Sequence, residues 1–111
     1  MSFKIIATPA FQKELKKLAK KYVSIKEDVG ALVVLLSEDP KSGTPIGNNC
    51  FKIRLSIKSK GKGKSGGARV ITHIKVMKGN IYIISIYDKS EIETLPDTVI
   101  RERIENLDNN P

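Results

Sequence analysis

The stretch FKIRLSIKSKGKGKSGGARVITHIKVMKGNIYIISIYD, residues 51–88, decides the fold. Apolar and polar residues alternate through 51–58 and again through 68–77, and 81–88 is rich in isoleucine and tyrosine. A period of two is the pattern of a β-strand that buries one face. The glycine-rich loop after the first segment and the turn at 78–80 are typical of hairpin connections. We therefore predict three consecutive antiparallel strands.

The residues before this meander predict a short strand and a first helix. FKIIA at 3–7 is β-rich, and Thr8 followed by Pro9 is typical of a helix start. Beyond them, four apolar residues at steps of three and four define a face to be buried, and five lysines fall mostly on the opposite, solvated side. The apolar residues are Phe11, Leu15, Leu18 and Tyr22, and the lysines are Lys13, Lys16, Lys17, Lys20 and Lys21.

A second helix is predicted directly after the first. Ser24 and Glu27 have the spacing of a capping box. The apolar pattern that follows runs from 25 to 36 and stops at Asp39 and Pro40. Because the linker between the two helices is short, we expect them to form an antiparallel helical hairpin.

The rest of the chain completes the predicted order β-α-α-β-β-β-α. Residues 40–49 are turn-rich, and 94–97 open a last short helix with a sparse apolar stripe. We expect residues 1–111 to form one α+β domain, with an antiparallel sheet and the helical hairpin packed on one of its faces. The first strand is expected to join an edge of the sheet. The opposite face, which carries Lys52, Arg54 and Arg69, is expected to be exposed and cationic.

The charge of the chain is high and uneven. The net charge is +8, and residues 52–89 contain ten lysines and arginines but a single acid, Asp88. From residue 90 onward there are six acids and two arginines. A basic region of this size favours a polyanionic partner, above all nucleic acid.

Other function classes find little support in the composition. Cys50 is the single cysteine, which rules out an internal disulfide and favours a reducing compartment. No apolar run reaches the length of a membrane span, and we see no signal-peptide core, so we expect a cytoplasmic protein without a membrane partner. One histidine and one cysteine also make a metal site unlikely on donor count alone, and we expect no cofactor.

The GKGKS segment within the loop does not match a nucleotide-binding P-loop. That motif requires a glycine five residues before the final Gly-Lys-Ser, and here that position is Lys58. It also requires a helix after the loop, whereas β-branched residues follow. Nothing in the spacing of the residues pairs His73 with a serine nucleophile.

A cluster of cations on the predicted sheet is the strongest candidate for a site. Lys52 and Arg54 lie two residues apart on one strand, Arg69 begins the next, and Lys89 follows the third. Together they favour phosphate binding, because arginine supplies planar donors and lysine a compact charge. Crowded cations also favour the neutral form of a lysine, which then serves as a proton acceptor. The alternative is an ordinary solvated strand face.

Three stretches carry a resemblance to a known family. FKIRLSIKSKGKGKSGGARVITHIKV, IYIISIYDKSE and TPAFQKELKKLAKKY, taken in order, resemble the RelE/ParE superfamily of toxins from type II toxin–antitoxin systems, in particular its RelE/HigB-like branch. The resemblance implies an antiparallel sheet on two N-terminal helices with a C-terminal helix. It also implies a ribosome-dependent endoribonuclease that cuts mRNA without metal, by attack of the ribose 2′-OH on the adjacent phosphorus.

The resemblance also implies roles for individual residues. Arg69 would stabilise charge in the transition state, Lys52 or Arg54 would hold the phosphate, and a neutral lysine would act as base. An acid or charge-stabilising role falls to Lys89, and some relatives use a histidine, for which His73 is the candidate. Several members of the family carry a tyrosine just beyond the third strand that stacks on a base. This chain has Leu95 near that position, so Tyr87 is the candidate for the stacking role. The predicted RNA contacts are Lys58, Lys60, Lys62, Lys64 and Tyr87.

The sequence leaves two further functions open. A ParE-like toxin would inhibit DNA gyrase and cut nothing, and a plain RNA-binding module would have no chemistry. The expected partners of a RelE-like toxin are a cognate antitoxin and a ribosome with mRNA in its decoding site. Contact with DNA would be indirect, through the antitoxin complex.

Overall fold

A computed structural model describes residues 3–61, 63 and 66–109. Five strands and three helices follow the predicted order, with one additional strand in the segment predicted as turns. They are β1 (Lys4–Ala7), α1 (Pro9–Ala19), α2 (Ile25–Glu38), β2 (Thr44–Gly47), β3 (Cys50–Leu55), β4 (Ala68–Lys75), β5 (Asn80–Asp88) and α3 (Asp97–Asn109). Single turns of 3₁₀-helix lie at Lys58–Lys60 and Val76–Lys78.

The strands form one sheet in the order β1-β5-β4-β3-β2. The meander β3-β4-β5 is antiparallel as predicted, and β1 lies at an edge, also as predicted. However, β1 runs parallel to β5, so the sheet is mixed. No tight turn joins these two strands, so nothing local in the sequence sets their relative direction.

The segment 40–49 contains a strand that the turn-rich composition concealed. β2 pairs with β3 across a two-residue turn formed by Asn48 and Asn49, whose φ angles are 55° and 59°. Positive φ at both positions is the geometry of the tight hairpin turns that match strand twist, and asparagine tolerates it. The short strand β2 is thereby attached to the outer edge of the meander.

The helical hairpin packs on one face of the sheet. Thr8 caps α1 as predicted: its Oγ1 accepts a hydrogen bond from the Phe11 N–H at 3.3 Å and donates to the Ile83 carbonyl at 2.8 Å. The predicted capping box at α2 is wrong, because Ser24 Oγ instead donates to the Asp28 carboxylate at 2.8 Å. The core on this face consists of residues from both helices and the central strands, among them Phe11, Leu18, Ile25, Leu36, Val70 and Ile83.

The other face is not fully exposed, which corrects the prediction. A second hydrophobic cluster forms where α3 and the segment before it cover part of the sheet. Ile71 and Ile84 on the strands are each 1% exposed beneath Leu95 and Ile100. Burying side chains of this size contributes about 1.5–3 kcal/mol each, which explains why the sparse stripe of α3 is held against the sheet. None of the helices in the described ranges is long and apolar enough to span a membrane.

An ion pair joins the helices of the two faces around the edge of the sheet. β1 ends opposite Ile83, which leaves the rest of β5 without a neighbouring strand on that side. Arg103 of α3 donates to both carboxylate oxygens of Glu14 on α1, at 2.6 and 2.9 Å, and to the Ile84 carbonyl at 2.8 Å. Glu14 in turn accepts from the Ile86 N–H at 3.2 Å, so side chains satisfy the backbone groups of the open edge.

Candidate functional site

Strand register places two arginines side by side at one end of the meander. Arg54 of β3 lies directly opposite Arg69 of β4, and Tyr87 of β5 lies opposite Arg69 on its other side. Residues opposite each other project from the same face, with Cβ atoms about 4.5–5.5 Å apart. Lys52 shares this face because it is two residues from Arg54 along β3. The alternation in the sequence therefore predicted the grouping of these cations correctly.

The three cations on this face differ sharply in exposure. Arg54 is exposed and Lys52 is half-buried, but Arg69 is only 6% exposed. The Arg69 guanidinium donates to the Ala68 carbonyl at 3.1 Å. The expectation of an exposed Arg69 is therefore wrong. Its neighbours on this face, Ile71 and Tyr87, belong to the hydrophobic cluster that α3 and the segment before it complete.

Tyr87 is also covered. Its side chain lies in the cluster with Leu95 and is 3% exposed, so it offers no open face for a base to stack on. The structure therefore does not present Tyr87 for base stacking, and its contact with RNA stays a prediction. Burial raises the pKa of the Tyr87 hydroxyl, and this effect exceeds the opposing ones of the Leu95 backbone hydrogen bond and the Arg69 charge.

Lys89, the fourth predicted cation, follows directly after β5. Its N–H donates to the Gly67 carbonyl at 3.1 Å, which continues the pairing with the chain that enters β4. Strand alternation places its side chain on the same face as Tyr87. The ammonium group donates to the Glu93 carbonyl at 3.3 Å. Lys52, Arg54 and Arg69 thus share one face of the sheet, and the alternation of β5, continued into the turn, adds Lys89 to them. We call these four residues the cationic row.

His73 lies on the same face but apart from the row. It is four residues beyond Arg69 along β4, about 13 Å at the rise of a strand, with the buried Ile71 between them. Its Nδ1 is 3.4 Å from the sulfur of Cys50, its cross-strand partner. Burial raises the pKa of the Cys50 thiol to about 11, so the sulfur is a protonated, apolar neighbour.

The loop lysines do not behave as one group. Lys58 is exposed. The Lys60 ammonium, in contrast, contacts Asp88 Oδ1 at 2.8 Å and Ser90 Oγ at 3.1 Å, with its side chain 11% exposed. Lys60 is therefore engaged in a contact within the protein, and its contact with RNA stays a prediction. Lys62 and Lys64 lie outside the described residues.

The residue that sequence reasoning passed over is Asp88. Its side chain is buried, and four hydrogen bonds reach its carboxylate from Tyr22, Lys60 and Ser90. Burial alone would raise the pKa of Asp88, but the hydrogen bonds outweigh it and hold the pKa well below the usual range. One signal was available: Asp88 is the single acid in the basic region 52–89.

Across the described ranges, no three His, Cys, Asp or Glu side chains cluster as the ligands of a metal ion would. The sequence matches no family model. Several solved structures nevertheless superimpose on the chain. A free-state mutant of the E. coli toxin RelE gives a TM-score of 0.63 at 20% identity, covering 96% of this chain and 98% of that one.

The chain has the RelE fold.

Two toxin–antitoxin complexes agree with this assignment. The intact E. coli RelBE complex gives a TM-score of 0.59 at 19% identity, over 78% of this chain and 96% of that one. A RelBE complex from Mycobacterium tuberculosis gives 0.57 at 16% identity, over 79% and 92%. At such identities the RelE fold is established, and the function has to be argued from the cationic row itself.

Proposed function

We propose that this chain is a RelE-like toxin of a type II toxin–antitoxin system, and that it cuts mRNA on the ribosome. The observation that carries the proposal is the cross-strand pair Arg54 and Arg69, with Lys52 and Lys89 on the same face. Four cations on one sheet face favour a phosphate, and the basic charge of the chain favours a nucleic acid.

The proposed reaction is a transesterification within the RNA strand. The ribose 2′-oxygen forms a bond to the adjacent phosphorus, and the bond from phosphorus to the 5′-oxygen breaks. A base removes the proton of the 2′-OH, and an acid supplies a proton to the leaving 5′-oxygen. The products are a 2′,3′-cyclic phosphate and a 5′-hydroxyl, so no further reactant is required.

The cationic row suits the charge that develops in this reaction. Arg54 and Lys52 are accessible enough to contact the non-bridging oxygens, and a lysine of the row is the candidate base for the 2′-OH. Arg69 is held beside Arg54 in a covered environment, where water screens its positive charge less and a fixed charge stabilises the transition state more strongly. Lys89 would act on the leaving oxygen.

Antitoxin and ribosome are the proposed partners. RelE-fold chains of E. coli and M. tuberculosis are found in complexes with their antitoxins. For this chain, an acidic antitoxin segment would complement the basic region 52–89. The exposed Lys58 would add attraction to RNA phosphates, as would Lys62 and Lys64.

The test is primer extension on a message translated in a purified system, with ribosomes present or omitted. We expect the wild-type protein to cut only the translated message. Arg54→Gln and Arg69→Gln should each lower the cleavage rate by about 100-fold, the scale measured when one charge-stabilising donor is lost. Lys13→Gln, an equal charge change at an exposed position of α1 on the opposite side of the sheet, should stay within about 2-fold.

Two results would contradict the proposal. Unchanged cleavage by folded Arg54→Gln and Arg69→Gln proteins would remove the cationic row from the mechanism. Intact mRNA together with gyrase-dependent DNA breaks in cells that produce the protein would favour a ParE-like inhibitor instead.

A further inference from the structure

The turn after β5 is built around the buried carboxylate of Asp88, which is 1% exposed. Tyr22 donates its hydroxyl to Oδ2 at 2.5 Å, and the Lys60 ammonium donates to Oδ1 at 2.8 Å. Ser90 donates twice to Oδ1, from its hydroxyl at 2.7 Å and from its N–H at 3.0 Å. Lys60 also lies over the Tyr22 ring, 5.4 Å from its centroid. Three separate parts of the chain therefore converge on one carboxylate.

These contacts fix the residue that follows Asp88. The bonds from Ser90 close a turn around Lys89, of the kind aspartate forms with the backbone two residues on. The Asp88 carbonyl also accepts the N–H groups of Glu91 and Ile92, each at 3.0 Å. Alternation along β5 sends the Asp88 side chain to the face covered by the helices and the Lys89 side chain to the opposite face. The contacts of Asp88 on the face covered by α1 and α2 thus decide where Lys89 lies in the cationic row.

We propose that Asp88 is a positioning residue for the reaction: through its bonds to Tyr22, Lys60 and Ser90, it holds Lys89 in its place in the cationic row. This inference rests on the proposed function. Asp88 itself contacts no substrate, because its side chain is on the other face of the sheet. Displacing a catalytic group by about 1 Å can cost about 100-fold in rate, so a rigid turn beneath Lys89 has a measurable consequence.

A second buried carboxylate provides a matched control. Asp28 is 3% exposed and accepts hydrogen bonds from Ser24 Oγ at 2.8 Å and from the Lys58 N–H at 3.2 Å. It therefore holds the same 58–60 turn that Asp88 holds through Lys60. Among the described residues, no hydrogen bond joins Asp28 directly to the turn that carries Lys89, so its loss should disturb the fold more than it displaces Lys89.

The experiment compares Asp88→Asn, Asp28→Asn, Lys89→Gln and the double variant of Asp88 and Lys89. Cleavage of the translated message gives kcat and KM, and urea denaturation gives stability. We expect Asp88→Asn to lower kcat by about 10- to 100-fold with KM within about 3-fold. Asp28→Asn should keep kcat within about 3-fold at a similar loss of stability. Lys89→Gln should add less than about 3-fold in the Asp88→Asn background, because the lysine is already displaced.

A milder variant keeps the inference testable if Asp88→Asn does not fold. Tyr22→Phe retains the ring and removes one donor to the carboxylate, and it should lower kcat by about 3- to 10-fold with the same dependence on Lys89. Hydrogen exchange adds a readout that needs no activity: the Lys89 amide, which is bonded to Gly67, should exchange faster in both variants but not in Asp28→Asn.

Each outcome has a defined meaning. Independent, multiplicative effects of Asp88 and Lys89 would overturn the inference, as would an equal loss of kcat in Asp28→Asn, since Asp88 would then act through stability alone. Unchanged exchange at the Lys89 amide would overturn it as well. A wild-type protein that cuts no translated message would instead refute the proposed function, and with it any role of Asp88 in the reaction.

Discussion

Removal of the ion pair between Glu14 and Arg103 is predicted to loosen α3 from the rest of the domain. Arg103→Ala deletes three hydrogen bonds, two to Glu14 and one to the Ile84 carbonyl. Glu14→Ala leaves the Ile86 N–H and the Ser85 hydroxyl without the acceptor they share. Each change thus strands backbone or side-chain polar groups at an open sheet edge, in addition to breaking a bidentate charged contact.

The exposure of the Glu14–Arg103 pair determines how much unfolding free energy each variant should lose. The two side chains are 20% and 28% exposed, which lies between a fully buried pair and a solvated one. A buried pair costs about 3–5 kcal/mol to break and an exposed pair about 0.2–1 kcal/mol. We expect each single alanine variant to lose about 2–3 kcal/mol of unfolding free energy, and the coupling between the two residues to be about 1–2 kcal/mol.

The assay is a double-mutant cycle by urea denaturation. Thermal unfolding should show a fall in midpoint of about 10 °C for either single variant, given the size of the domain. Two exposed charged residues serve as controls. Arg101→Ala on α3 is expected within about 0.5 kcal/mol, and Glu91→Ala, which breaks the exposed pair with Lys21 (3.3 Å), should change stability little. Additive losses at Glu14 and Arg103, with no coupling beyond experimental error, would refute the argument.

Three further predictions concern single residues. Because folding lowers the pKa of Asp88, the ionised carboxylate stabilises the folded protein above its unfolded pKa of about 3.9, and this stabilisation is lost as the pH falls below that value. Urea denaturation from pH 7 to pH 3 should therefore show a shallower decline in unfolding free energy for Asp88→Asn than for the wild type. Parallel curves would contradict this. Cys50, with its pKa raised to about 11, should react with iodoacetamide at pH 8 far more slowly in the folded than in the urea-unfolded protein, and equal rates would be inconsistent with its burial. Gly67→Ala should destabilise by about 2–3 kcal/mol, since the new Cβ would lie 2.1 Å from the Leu55 carbonyl oxygen; a wild-type denaturation midpoint would disprove the close approach.

The sequence predicted the elements whose signals are local. The two-residue period of 51–58 and 68–77 indicated strands, and it also indicated which residues share a face, so the grouping of Lys52, Arg54 and Arg69 followed without a structure. Thr8 and Pro9 marked the start of α1 for an equally local reason, because a cap acts on the N–H groups of the next three residues.

The errors arose where one sequence pattern is compatible with several tertiary arrangements. The stripe of α3 indicated that one face of this helix is buried, but not that it would pack with Tyr87, the neighbour of Arg69. Ser24 has a capping-box spacing, yet its hydroxyl bonds to the Asp28 carboxylate. Lys60 looks like its neighbours in the loop, and only the position of Asp88 distinguishes it.

By itself, the sequence determined the order of all elements except β2, the face on which the cations of the row stand, and a basic charge that favours a polyanionic partner. These follow from periodicity and charge, which are properties of neighbouring residues. Only the tertiary structure decided the direction of β1, the covering of Arg69 and the contacts of Asp88 and Glu14. Tyr22 and Asp88 are 66 residues apart, and Glu14 and Arg103 are 89 apart. Contacts over such separations depend on how the helices pack on the two sheet faces, and no local pattern in the chain specifies that packing.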